Sequence, residues 1–206
     1  MARGVWMNQQ GGFIEEYMEA LRRVTQAIPH EKIQRAVDIL YQAWEAERQV
    51  FLMGNGGSAS TATHFASDLA KFTIVPGKQR FKTICLNDNI PLVSAWTNDS
   101  GFGSIYVEQL RPWLEEGDVV IGVSVHGGSG SGEAGPWSQN LVQAIALARE
   151  RKAKSIGLSG FDGGAMNRMA DVCLVVPITT EPLGTPIVES MHVCLHHLIC
   201  TALKLR

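Results

Sequence analysis

Along the chain, short runs of consecutive apolar residues alternate with longer stretches whose apolar positions recur every three or four residues. The short runs lie at 50–53, 82–86, 118–125, 154–159 and 171–177, each rich in Val, Ile or Leu. Consecutive apolar positions are the pattern of strands buried on both faces. The stretches 58–72 and 138–151 carry the helical period. Alternation of buried strands with helices predicts an α/β fold, a five-stranded parallel sheet flanked by helices as a three-layer sandwich.

Two helices are expected before the first strand, over 13–27 and 30–47, with Pro29 as the break. In the first, Phe13, Tyr17, Leu21, Val24 and Ile28 fall at intervals of three and four. This N-terminal pair has more apolar surface than one sheet face needs, so it is expected to pack between subunits of an oligomer. The last helix is expected to start at Thr185 as N-cap, with Pro186 at its first position. The segment 126–136, HGGSGSGEAGP, reads as a long loop.

A chain of 206 residues is enough for one domain with a full core, here 1–206, with helices over 1–48 and an α/β core over 49–206. A formal net charge of −2 leaves no basic excess for phosphate-backbone binding, which argues against a nucleic-acid partner. Cys85, Cys173, Cys194 and Cys200 form no CxxC pair and read as core thiols of a reducing compartment. There is no apolar run of the roughly 18 residues a membrane span needs, and no signal-like start. A cytoplasmic chain is the expectation.

Chemistry begins at Gly54-Asn-Gly-Gly-Ser-Ala-Ser60, directly after the first strand. A glycine-rich turn there lets backbone N–H groups approach a phosphate at the next helix N-terminus. A Walker pattern is absent. A loose GxGxxA dinucleotide fingerprint fits Gly54, Gly56 and Ala59, with Asn87-Asp88 where a ribose-binding acid would sit. The third strand ends in a second Gly/Ser loop, with Ser124 and Ser129, and two such loops suit one small phosphate better than a dinucleotide. On the helix opened by Ser58, His64 and Asp68 share a face at four-residue spacing, fit for a metal or for acid–base work. The last helix carries Glu189, His192, His196 and His197. His192 and His196 share a face and suit a metal pair, while His197 lies on a neighbouring one. Glu189 and His197 stand about 12 Å apart along the axis. Asn98-Asp99 has an ordinary reading as a turn pair.

Taken together, GNGGS after strand one, His-Phe-Ala-x-Asp-Leu on the next helix, Asn98-Asp99 and His197 resemble the sugar isomerase (SIS) fold, and within it the phosphoheptose isomerases. The resemblance covers almost the whole chain. It implies a homotetramer with active sites between subunits, converting sedoheptulose 7-phosphate to D-glycero-D-manno-heptose 7-phosphate. By that likeness Asn55, Gly56, Gly57 and Ser58 form the substrate loop, Asn98 and Asp99 contact substrate, and Ser124 and Ser129 belong to the phosphate loop. His64 and His197 match zinc ligands, with His197 also an acid/base. Four departures stand out: Asp68 for Glu, Glu189 for Gln, Val125-His126 for a Thr-Ser pair, and an insertion over 133–136. Val125, His126 and Glu189 are therefore counted among the substrate-binding positions. His64, Asp68, Glu189 and His197 together suit zinc or a similar divalent cation. Asp68 and His197 are the expected catalytic couple. A noncatalytic SIS tetramer that binds a phosphosugar or a protein partner, like the replication-initiation regulators of the fold, is the alternative.

Overall fold

The structure is a computed structural model, and it describes residues 10–128, 138–178 and 181–206. Five strands, β1 (Gln49–Gly54), β2 (Lys82–Cys85), β3 (Val119–Val123), β4 (Lys154–Gly160) and β5 (Val172–Val176), form one sheet in the order β2-β1-β3-β4-β5. Every pairing is parallel, as the apolar runs predict. The third expected strand is trimmed at both ends. Asp118 instead accepts the N–H groups of Gln49 and Glu115, so it ties down the turn before β3.

Side-chain alternation divides the core into two layers. Val50, Leu52, Val119, Ile121 and Val123 face one cluster, shared with helices α1 (Gln10–Ala27), α2 (His30–Glu45), α3 (Gly57–Ser67) and α8 (Gly184–Leu205). Phe51, Met53 and Val120 face the other, with α5 (Val107–Leu110), α6 (Gln139–Glu150) and α7 (Gly164–Met169). The remaining helix, α4 (Ile90–Ser100), has no buried residue. The N-terminal helices contribute Ala20, Val24, Ala36, Val37 and Leu40 to the first cluster, yet Ile14 and Met18 on α1 stay 66% and 60% exposed.

Three boundaries differ from expectation. The helix read over 58–72 is α-helical only to Ser67 and continues as a π-helical turn, Asp68–Phe72, in which the Thr73 N–H reaches the Asp68 carbonyl five residues back. The second helix stops at Glu45, because Glu47 takes a positive φ of 55° to turn the chain into β1. Thr185 is not the N-cap of the last helix. The helix starts at Gly184 after Leu183, and the Thr185 hydroxyl donates back to Glu181 Oε1 (2.7 Å).

The strand order reverses between β1 and β3. In open α/β sheets the crevice outside such a switch point, at the carboxyl ends of the strands, is where ligands bind. Both Gly/Ser loops leave the sheet there.

Candidate active site

At the switch point the turn after β1 is held by a buried polar network. Asn55 and Asn140 exchange two amide hydrogen bonds, Asn55 Nδ2 to Asn140 Oδ1 (3.0 Å) and Asn140 Nδ2 to Asn55 Oδ1 (2.9 Å). Tyr106 Oη donates to the Gly54 carbonyl, and Asn87 bonds both the N–H and the carbonyl of Gly54. Burial pushes the Tyr106 phenol up to about 12, so it remains a donor at neutral pH. Gly56 takes φ 57°, which a side chain rarely tolerates, and this turns the chain into α3. With Asn87 stitched to the loop, and Asp88 accepting from Thr63 Oγ1 (2.9 Å), neither is placed as a ribose-binding acid.

The second loop meets the first through serines. Ser124 Oγ, buried at the end of β3, lies 3.5 Å from Ser138 Oγ, which in turn accepts from Asn55 Nδ2 (3.4 Å). Val125 packs against the core and its carbonyl takes the Gly160 N–H (2.8 Å). The His126 ring packs on Phe161 at 4.4 Å. Ser129 and the insertion over 133–136 lie outside the described residues. Ser58 is buried in the first turn of α3.

Two turns along α3, a second group forms. Asp68 Oδ2 lies 3.6 Å from His64 Nε2, 3.4 Å from His197 Nε2 and 3.4 Å from His196 Nδ1. His64 and His197 approach to 3.4 Å through their Nε2 atoms. The expected carboxylate–imidazole couple thus meets within one chain, where α3 and α8 pack side by side. His64 and His197 are half exposed, Asp68 is 20% exposed, and His196 is wholly buried with its ring stacked on Phe65. Burial, reinforced by the neighbouring imidazoles His197, His64 and His192, pushes His196 down to about 3, so this ring is neutral. One donor atom from each of His64, Asp68, His196 and His197 fits within 4.8 Å of the others. Imidazole nitrogens with a carboxylate oxygen are the donors zinc prefers, so the residues present fit a divalent cation.

Glu189 departs from expectation. It is not in this group; it lies on α8 two turns before His197, and a side chain at Gly57 would run into its carboxylate. That places its charge at the N-terminal end of α3, a position the helix dipole favours. Asn98 and Asp99 sit exposed in the last turn of α4, with Asn98 Nδ2 donating to Asp99 Oδ1 (2.7 Å). No described contact joins them to the histidine cluster. Asn140, Tyr106 and Ser138 were not foreseen from sequence, since a lone Asn or Ser at a helix start and a buried Tyr carry no distinguishing local pattern.

A family profile described as SIS domain matches residues 12–160. The chain belongs to the SIS domain family. Among relatives of this SIS domain, the phosphoheptose isomerase of Geobacter sulfurreducens is 32% identical over 94% of the chain and 96% of the relative. The lincomycin biosynthesis protein LmbN of Streptomyces lincolnensis is 48% identical over 87% of the chain. The match spans 64% of that relative's length. The solved structure of phosphoheptose isomerase GmhA from Neisseria gonorrhoeae superposes on the SIS domain with a TM-score of 0.80 at 26% identity, covering 95% of this chain and 96% of that one. Among the described residues no helix is long and apolar enough to cross a membrane.

Proposed function

We propose that the chain is a phosphosugar aldose–ketose isomerase, with sedoheptulose 7-phosphate as substrate and D-glycero-D-manno-heptose 7-phosphate as product. The observation that carries this reading is the Asp68 carboxylate at 3.4 Å from His197 Nε2, on a helix that opens at a Gly/Ser loop. Similarity to phosphoheptose isomerases along nearly the full chain supports it.

Isomerisation moves a proton between adjacent carbons through an enediol. It needs a base at carbon and a proton source near the two oxygens. In this reading Asp68 takes the carbon-bound proton and returns it to the neighbouring carbon. His197 carries the hydroxyl proton between the oxygens. The phosphate is taken at the switch point by Ser58 and Ser124, with Val125 and His126 alongside, and Ser129, outside the described residues, is assigned to it by the resemblance alone. Ser58 and His64 are six helical positions apart, about 9 Å, a span that an extended sugar phosphate of several carbons can bridge. Asn55, Gly56, Gly57 and Glu189 then line the route between the two ends, and Glu189 offers an acceptor for sugar hydroxyls. His64, Asp68 and His197 would hold a divalent cation such as zinc. When bound, such an ion polarises the carbonyl and stabilises the enediolate, a task that otherwise falls to the imidazole.

The exposed face of α1 and the unburied helix α4 support assembly as a homotetramer, in which Asn98 and Asp99 enter the active site of a neighbouring subunit. The test is incubation of the protein with sedoheptulose 7-phosphate, beside shorter and longer ketose phosphates, in deuterated water. The expected result is an aldose phosphate with deuterium at C2. Tight binding of every sugar phosphate with no product would replace this reading by the noncatalytic one.

A further inference from the structure

We propose that His196 is the fourth protein ligand of a zinc-type centre, forming with His64, Asp68 and His197 a cage of three imidazoles and one carboxylate. The proposal deepens the metal reading above and rests on it for the other three ligands; the sugar carbonyl then joins as a fifth, an expansion that zinc allows. Donor atoms bound tetrahedrally at about 2.0–2.2 Å from zinc stand about 3.3–3.6 Å from one another. Four of the donor–donor distances here are 3.4, 3.4, 3.4 and 3.6 Å, and one of them is His196 Nδ1 to Asp68 Oδ2. Four of a tetrahedron's six edges therefore have the right length, and all four donors lie within 4.8 Å of one another.

His196 also lacks a polar partner of the kind a metal supplies. Its ring is fully buried, and neither ring nitrogen makes a hydrogen bond, although Nδ1 stands so near the Asp68 oxygen. An unpartnered buried polar group is costly, and it persists where something else supplies the missing partner. The ring is not free to turn away. Phe65 stacks on it at 5.3 Å and 23°, and the His64 and His197 rings meet it edge-on at 4.6 and 4.3 Å. Packing of this kind fixes a ligand before the ion arrives and reduces the ordering cost of binding.

The donor set decides the ion. Three nitrogens and one carboxylate oxygen suit zinc, cobalt or nickel and disfavour magnesium and calcium, which take oxygen ligands. Glu189, turned to Gly57, is left outside the cage and remains available to the sugar.

The experiment strips the full-length protein with a chelator and titrates it with cobalt(II) and zinc against a chromophoric competitor, without sugar. The expected result is one ion per chain, with the intense visible bands of four-coordinate cobalt. His196→Leu, an apolar replacement for a buried ring, should weaken both ions at least about tenfold, the loss that removal of even an outer-shell partner gives. Glu189→Gln should leave the affinity unchanged. A second readout needs no variant: on adding zinc to the native protein, the His196 Nδ1 resonance in a long-range nitrogen–proton spectrum should shift. Equal affinity and spectrum in a folded His196→Leu, or an unmoved His196 Nδ1, would overturn the proposal. Because sugar is absent throughout, these outcomes are independent of whether the chain isomerises phosphosugars.

Discussion

Asp68 is met by three imidazoles on one carboxylate oxygen, and this convergence gives the residue its predicted behaviour. Asp68→Asn keeps the size and most hydrogen bonding but removes the proposed base. Turnover should fall by roughly 100- to 10,000-fold, while phosphosugar affinity by calorimetry stays within a few-fold of the parent. Asn140 makes a different prediction, since its amide is fully buried and bonded twice to Asn55. Asn140→Ala removes both amide bonds to Asn55, which keeps only its longer contacts to Ser138 Oγ and Tyr106 Oη, and should cost about 1–3 kcal/mol in urea unfolding. If the Asn55 loop holds substrate as proposed, away from the reacting carbons, the change should also raise KM more than it lowers kcat. His192 sets a pH dependence. It is wholly buried, and desolvation pushes it down to about 4 from the ordinary 6.5, opposed in part by a hydrogen bond with the Ser159 backbone. Between those values the unfolded chain binds the proton and the folded chain does not. Stability is therefore fully present above about 6.5 and is lost as pH falls towards 4. Denaturant midpoints measured at pH 7 and pH 5 should show this drop, and a folded His192→Leu should show a smaller one.

At the scale of elements, the five strands and the paired N-terminal helices were legible because burial on both faces, or on one stripe, leaves a period in the sequence. The strand ends were less so. Asp118 precedes β3, and its role is visible only through the N–H groups of Gln49 and Glu115 that converge on it. Thr185 looked like an N-cap, but a cap is set by backbone geometry, and the helix begins one residue earlier. The site was half legible. His64 and Asp68 are four apart on one helix, so their meeting follows from the helical period alone. That His197 meets them depends on the packing of α8 on α3, which no local pattern encodes. Glu189 shows the converse: residue type grouped it with the metal ligands, while two turns of helix carry it to Gly57. The loop after β3 gives an element-level test where it packs on the start of α7. Gly127 has φ 63°, and a Cβ there would collide with the Gly163 carbonyl. Gly127→Ala should destabilise the fold by at least about 1 kcal/mol in thermal or urea melts, and should weaken phosphosugar binding by displacing the adjoining Ser124 loop.

For the whole molecule, exposure of Ile14 and Met18 on a helix whose other face is buried predicts assembly through α1. Replacing both by Glu should shift the mass measured by light scattering towards the monomer, with the far-ultraviolet circular dichroism of the fold retained. A parent protein that is already monomeric would remove the ground for the shared active site. The meeting of His64 with His197 has a further consequence, for biogenesis. These residues are 133 positions apart in the chain, and they come together only when the last described helix docks. Until then β4 and the α3 face lack the cover of Val188, Leu195 and Ile199, so an incomplete nascent chain presents an apolar surface to chaperones. An ion or sugar that needs both histidines binds only the finished fold and stabilises it by mass action. Partly made chains gain nothing from the same ligand. Ligand supply during synthesis should therefore raise the yield of complete protein without rescuing fragments that end before α8.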